Sequence, residues 1–486
     1  MSDTNVTGVE SGLQPQQVKG GLAGDPARSP SPADSVRAQR TILGHPAGLF
    51  VLFFTEMWER FSYYGMRSLL VLYMVNYLIH RIHAGTSHVF GFMVLQHSIE
   101  AVFGPMKVQP LASQIYGIYT GLVYFTPFFG GILADRVLGQ RKTVVLGGVL
   151  MAIGHFLMAL ESMFLAGLFF LIVGNGCFKP NISTQVGSLY APGDPRRDRA
   201  YTIFYMGINL GAFFSPLVCG TLGQLLGWHY GFAAAGVGMV AGLLLYLWGQ
   251  KFLAQDPLTR AKQTHTEHAR LTSAEWKAMI GLVVLCMLNV IFWGVYEQQG
   301  NTIQLFADRN TDWHIFGLEM PSTWFQAINP MFIFLFTPFL NMFWSWQSTR
   351  RKEPGSVAKM AIGCGLLGIS FLPLMYITAG MRPDQRISFL WLVSCTVVYT
   401  MGELYLSPIG LSLVTKVAPA RLVSMLMGMW FFSSFLGNFL SGYLGTYYEK
   451  MSRQSFFLCL AVLGVAAGLA MFAVQRPLKN ALGPDV

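Results

Sequence analysis

Runs of about twenty apolar residues follow one another along this chain, twelve in all, at approximately 47–78, 111–133, 143–160, 164–189, 199–225, 230–250, 274–299, 324–345, 356–379, 387–414, 422–446 and 454–475. A run of that length matches the hydrocarbon thickness of a bilayer, where a backbone N–H or C=O without a partner is too costly to keep, so each run must close its hydrogen bonds internally as a helix. Closed membrane barrels are excluded, because they need alternating strands of about ten residues. Only 12% of the 486 residues are charged while 53% are hydrophobic, about half the charge of a soluble chain. The fold class is therefore an all-α polytopic membrane protein with twelve transmembrane helices.

Charge patterning gives the topology. Arg136, Arg141 and Lys142, then Arg196, Arg197 and Arg199, Arg260, Lys262 and Arg270, Arg350, Arg351 and Lys352, and finally Lys416 and Arg421 all fall after even-numbered runs. Basic loops stay in the cytoplasm, so both termini are expected there, in a multi-pass protein of the inner (plasma) membrane. The net charge of +10 is accounted for by these loops, which excludes a nucleic-acid partner. Residues 1–43 are rich in Pro, Ser, Gly and Gln and read as a disordered cytoplasmic tail. Residues 251–273 form the longest basic connection and divide the chain into an N-terminal six-helix bundle, 44–250, and a C-terminal one, 274–476, before a short tail, 477–486. Two bundles of six are the layout of transporters built from inverted repeats. The six cysteines lie inside apolar runs with no metal or disulfide spacing. Residues 79–110, with His80, His83, His88 and His97, and residues 302–323 read as extracytoplasmic loops, with no metal pattern.

The first run contradicts its own surroundings. Glu56, Glu59, Arg60, Tyr63, Tyr64 and Arg67 recur at i, i+3, i+4, i+7, i+8 and i+11, one face of a helix. A charge at the centre of a membrane helix costs roughly 2.5–3.5 kcal/mol, so four left unpaired would cost about 10–14. Such a face must meet partners, water or a substrate. Lys179 lies beside Pro180 in the fourth run, and Glu403 lies one turn before Pro408 in the tenth. Proline inside a membrane helix frees a carbonyl and permits bending, which suits a moving part.

Gly131-Ile132-Leu133-Ala134-Asp135-Arg136-Val137-Leu138-Gly139-Gln140-Arg141-Lys142 matches the loop signature of the major facilitator superfamily, with Asp135 and Arg136 as gating-loop residues. The run Glu56-x-x-Glu59-Arg60-Phe61-x-Tyr63-Tyr64-Gly65, the segment Phe204-Tyr205-x-x-Ile208-Asn209-x-Gly211 and the segment Glu403…Ser407-Pro408 complete a pattern over all twelve runs. Together these resemble the proton-dependent oligopeptide transporter family of that superfamily. The resemblance implies a major facilitator fold and uptake of di- and tripeptides driven by protons. It makes Glu56, Glu59, Arg60, Lys179 and Glu297 a proton-coupling set, with Arg67 paired to Glu297. It places the peptide carboxylate on Arg67 and Lys179, its amino group on Glu403 and its backbone on Asn209 and Asn329, with Tyr63, Tyr64, Tyr116, Trp293, Ser407 and Trp430 lining side-chain pockets. A zwitterion needs a cation at one end and an anion at the other, so the chemistry agrees with the assignment.

Two departures stand out. Gly117 occupies the place where animal members carry a histidine, which leaves proton handling to carboxylates. The linker of roughly 23 residues is too short for the two extra helices of many bacterial members. A carrier of nitrate or another small anion is the alternative, disfavoured because Glu403 would repel it. No nucleophile–base pair or metal cluster points to an enzyme, no cofactor or metal is expected, and a monomer in the lipid bilayer is the expected state.

Overall fold

The computed structural model describes residues 41–191, 194–254, 272–315, 317–382, 384–417 and 423–482. Residues 1–40 of the N-terminal tail, linker residues 255–271 with Arg260, Lys262 and Arg270, and residues 483–486 lie outside the described residues, as does Arg421; the rest of the C-terminal tail belongs to the helix Gln475–Leu482. Twelve long helices carry the fold: α1 (Ala47–Tyr73), α2 (Val108–Phe125), α3 (Gln140–Met158), α4 (Phe164–Ser188), α5 (Arg196–Ser215), α6 (Trp228–Gly249), α7 (Ser273–Tyr296), α8 (Phe325–Thr349), α9 (Ser356–Ile369), α10 (Leu390–Val417), α11 (Val423–Gly445) and α12 (Arg453–Ala473). Ten helical segments, built on α2 to α10 and on α12, are long and apolar enough to cross a membrane. α1 and α11 are not among these segments; α1 carries the four charges of its stripe.

A π-helical turn, Met74–Leu78, carries α1 to the limit expected from the sequence, and the short helix Ile79–His83 follows it directly; two such turns, Pro216–Gly220 and Leu222–Leu226, carry α5 to its expected end. The expected loop at 302–323 needs correction. Beyond α7 a short 3-10 turn, Glu297–Gly300, leads to a break at Asn301, and the chain then resumes as the helix Thr302–Arg309. Asn301 supports the break with its own side chain, accepting from Ser113 Oγ at 2.8 Å. Only from Thr311 onward is the segment loop-like, with a two-residue parallel pairing to Ile387–Ser388 and a small hairpin.

Helix pairing repeats with an offset of six. α1 packs on α5, α3 on α4 and on α6; correspondingly α7 packs on α11, and α9 on α10 and on α12. Between the two sets α2 meets α11 and α8 meets α5, which is the same pairing with the halves exchanged. Close approach at the α2–α11 crossing is set by glycine. A Cβ on Gly117 would lie 2.6 Å from Gly442 Cα and 2.9 Å from the Asn438 carbonyl oxygen. No side chain, and so no histidine, fits at Gly117 in this arrangement. Within the first set, Gly147 of α3 and Gly174 of α4 meet the same way, each Cβ falling within 2.9 Å of the other's carbonyl oxygen.

Hydrogen bonds between the two sets gather at one end of the bundle. Asn76 donates to Asp308 at 2.9 Å, Gln109 to the Gly445 carbonyl at 2.9 Å, Gln224 to Ser322 at 2.8 Å, and Trp324 to Thr221 at 2.8 Å. Asp135 and Arg136, expected in a loop, lie instead in the π-helical turn Ala134–Leu138 at the opposite end, where both side chains are exposed and engage in no hydrogen bond or ion pair among the described residues.

Candidate functional site

The charged face of α1 is buried along its length: Glu56, Glu59, Arg60 and Arg67 are each 3% exposed or less. It resolves into two clusters about two turns apart. In the first, Arg60 clasps Glu59 with both ends of its guanidinium, Nη2 donating to Oε1 at 2.7 Å and Nε to Oε2, while Nε also lies 3.3 Å from Glu56 Oε1. Asn175, on α4, adds a 3.3 Å hydrogen bond to Glu59 Oε1. Bidentate pairing of this kind fixes orientation as well as charge. In the second cluster Arg67 Nη2 pairs with Glu297, just past the end of α7, and Arg67 Nε donates to Tyr116 OH at 2.8 Å. This is a buried polar link between the two helix sets.

Between the sets lies a cavity of about 290 Å³. One wall is formed by Glu56, Arg60, Tyr64, Arg67, Lys179 and Asn209, the other by Trp293, Glu297, Asn329, Glu403, Ser407 and Trp430. Twelve residues singled out in the sequence therefore share one chamber, although they come from seven different helices and the turn after α7. Lys179 Nζ sits 4.5 Å above the Tyr124 ring, a cation–π position, and makes no ion pair among the described residues. Glu403, across the cavity, accepts from Asn329 Nδ2 at 2.9 Å and likewise has no cation partner there. Asn329 in turn spans to Thr400 Oγ1 at 3.0 Å, so the carboxylate is oriented by a neutral amide. One uncommitted cation and one uncommitted anion thus face the same space from opposite walls.

Three expected positions do not line this space. Glu59 sits behind Arg60. Tyr116, expected in a side-chain pocket, is fully buried, its hydroxyl taken by Arg67. Tyr63 is 3% exposed, with its ring 5.2 Å from the Arg60 guanidinium. Both rings fill the gap between α1 and α2, where they hold arginines rather than reach the cavity. Conversely, Tyr124, Ser183, Tyr205, Tyr296, Gln299 and Gln326 line the cavity without having been singled out. Helical repetition from the named residues would have found most of them: Ser183 is four after Lys179, Tyr205 four before Asn209, Tyr296 three after Trp293 and Gln326 three before Asn329. Gln299 lies in the 3-10 turn, where that arithmetic fails, and is bonded to Tyr399 OH at 2.6 Å. Among the described residues no three His, Cys, Asp or Glu side chains are grouped to hold a metal.

Long apolar helices in two repeating sets, enclosing a polar chamber closed at one end, define a multi-pass membrane transporter. The sequence profile of the POT family matches residues 141–272 and 259–460. A peptide transporter of Yersinia enterocolitica, YePEPT, is 33% identical over 91% of this chain and 97% of its own. An uncharacterised transporter of Bacillus subtilis, YclF, is 32% identical over 91% of this chain and 96% of its own. Among solved structures, a peptide transporter POT in complex with sulfate superposes with a TM-score of 0.79 at 29% identity, over 93% of this chain and all of the other. A POT family transporter in complex with a thioalcohol-conjugated peptide superposes at 0.78, with 27% identity over 92% of this chain. The chain belongs to the POT family.

The α1 cluster makes a direct stability prediction. Arg60→Ala strands Glu56 and Glu59 without their cation, a change that costs roughly 3–5 kcal/mol for a buried pair. Lys179→Ala removes a cation that forms no ion pair with any described carboxylate. Thermal unfolding in detergent should therefore show a large fall in midpoint for Arg60→Ala and a small one for Lys179→Ala; equal falls would contradict the pairing described.

Proposed function

We propose that this protein is a proton-coupled symporter that imports di- and tripeptides by alternating access. The single observation that carries this reading is the pairing, across one cavity, of a cation and a carboxylate that have no ion-pair partner among the described residues, Lys179 and Glu403. A small peptide is a zwitterion whose termini would complete both. Charges buried in a membrane protein are stable only when compensated, so such a chamber favours a ligand that brings both signs over one that brings a single sign. The named substrates of the relatives, peptides, agree with it.

In this reading Lys179 and Arg67 receive the peptide carboxylate, Glu403 its amino group, and Asn209 and Asn329 its backbone. Tyr64, Trp293, Ser407 and Trp430 bound the side-chain space, while Tyr63 and Tyr116 act one layer back by positioning Arg60 and Arg67. Glu56, Glu59, Arg60, Lys179 and Glu297 form the proton-coupling set. Protonation of Glu297 would remove half of its ion pair with Arg67 and release the end of the bundle where the two halves are hydrogen-bonded together. Asp135 and Arg136 would form the corresponding latch at the other end. The moving bodies are residues 44–250 and 274–476, joined by the linker 251–273 and flanked by the tails 1–43 and 477–486. We further propose that α1 and α11 also cross the bilayer, which gives twelve spans. Both termini then lie in the cytoplasm, the closed end faces outward, and the protein works as a monomer in the inner (plasma) membrane.

Proteoliposomes with an imposed inward proton gradient test the reading. The parent should concentrate a labelled dipeptide and stop when a protonophore collapses the gradient; no uptake, or uptake indifferent to the protonophore, would reject symport. Glu297→Gln, which imitates the protonated acid, should lose gradient-driven accumulation while keeping part of peptide counterflow. Undiminished accumulation by this variant would remove Glu297 from the coupling.

Peptide and anion readings separate at Glu403. If it holds the amino group, Glu403→Gln removes a charge-assisted hydrogen bond worth about 1.5–3 kcal/mol, so competition by dipeptides with free amino termini should weaken by roughly ten- to a hundredfold. N-acetylated dipeptides should change little. Equal shifts for both would exclude an amino-group role, and tighter nitrate binding without peptide uptake would favour an anion carrier.

A further inference from the structure

The connection between α1 and α2 holds a helix, Phe92–Phe103, whose outward face is the wrong chemistry for water. Its twelve residues include no lysine or arginine. Val94 and Ala101 occupy the centre of the exposed arc, with Phe90, Met93 and Val102 around them; Phe90, Val94 and Val102 are 71–79% exposed. The one carboxylate of the helix, Glu100, is turned off this arc and tied down, accepting from Gln96 Nε2 at 3.0 Å and from the Met106 backbone N–H at 3.2 Å. Ser98, which is on the arc, satisfies its hydroxyl within the helix by donating to the Val94 carbonyl at 2.8 Å. Covering this face with an apolar medium therefore strands no acidic group and no hydroxyl; exposed His97, on the arc between Met93 and Ala101, is the one ring that must reach up to the headgroups.

A helix of this length and composition has three ordinary places: a protein core, a bilayer span or a membrane surface. The core is excluded by the exposure. A span is excluded by length, since twelve residues rise only about 18 Å. Both ends are also held at the same end of the bundle. The Phe90 N–H donates to the Ser162 carbonyl, in the turn between α3 and α4, at 3.0 Å. The Phe103 ring packs 6.3 Å from Phe439 and 6.0 Å from Tyr443 on α11. Glycines in the left-handed region, Gly91 at φ +77° and Gly104 at φ +81°, flank the helix and let the chain turn into it and out of it. Further apolar residues are exposed where α3 gives way to α4, the turn to which Phe90 is bonded: Phe156, Leu160 and Met163.

We infer that the Phe92–Phe103 helix is a lipid-surface element, lying in the leaflet at the closed end of the bundle with Val94 and Ala101 at the boundary of headgroups and acyl chains. Contiguous exposed apolar surface on a protein marks such a contact, and an interfacial helix buries its apolar face by about 5–10 Å without crossing. The element is fastened to the N-terminal set at Ser162 and to the C-terminal set at α11, so it lies across the joint that alternating access must open.

Site-directed labels test this in the full-length chain, with half-buried Cys459 replaced by Ala and the protein in phosphatidylcholine nanodiscs. An environment-sensitive nitrobenzoxadiazole group is attached to Val94→Cys, to Ala101→Cys, and to Thr86→Cys as the exposed reference. Labels at 94 and 101 should emit at shorter wavelength than the label at 86 and be quenched several-fold more by lipids doxylated near the headgroup than by aqueous iodide. Quenching by iodide and not by doxyl lipid would overturn the inference. So would protection from both quenchers, which would mean that a protein surface covers the helix.

Discussion

Arg67 and Glu297 meet across the joint between the two helix sets, deep in a region where neither could remain charged alone. Each supplies what the other requires, and each belongs to a different half of the molecule. A buried pair of this kind contributes little net stability compared with apolar residues, but breaking it leaves a charge that the interior cannot solvate. In the proposed mechanism its value is conditional, because protonation of Glu297 would remove the pair's hold on this end. The hydrogen bonds of Gln109, Ser113, Gln224 and Trp324 lie beyond it and reinforce one arrangement. Tyr116 steadies Arg67 from behind, so the aromatic layer between α1 and α2 keeps the guanidinium aimed at its partner.

The second cluster on α1 is built differently. Arg60 serves Glu59 and Glu56 together, within one helix, and is therefore indifferent to how the halves move. Lys179 completes the local charge balance without pairing, parked over the Tyr124 ring. The site thus combines a link that depends on conformation, a link that does not, and two charges left to a ligand. A peptide entering between Lys179 and Glu403 would join the two walls electrostatically, which couples the presence of substrate to the closeness of the halves.

Much of this was legible in the sequence because membrane burial enforces simple rules. Twenty-residue runs give helices, and charges inside them must converge, so the i, i+3, i+4 spacing of Glu56 to Arg67 and the lone Lys179, Glu297 and Glu403 were bound to find one another. Depth was not legible. A helical face spans a wide arc, and nothing in the spacing separates Tyr64, which reaches the cavity, from Tyr63, which turns toward α2. Nor does composition reveal that residues after Asn301 resume a helix, since Gln304, Asp308 and Arg309 look like loop residues until their partners are seen: Asn76 on the other half for Asp308 and Arg309, and Gln326 on the same half for Gln304. The place of Gly117 became clear only from Gly442, an approach between backbones 325 positions apart in sequence.

The claim on which the rest turns is that the Arg67–Glu297 pair holds one end of the bundle shut. Leu226, at the end of α5, and Leu318, in the connection before α8, are 65% and 64% exposed on opposite halves at that end. Spin labels on Leu226→Cys and Leu318→Cys, read by pulsed electron–electron resonance in nanodiscs, report the separation directly. With Glu297 intact the distance distribution should be dominated by one short population, and with Glu297→Gln a longer population should grow at its expense. An unchanged distribution in the variant would contradict the account.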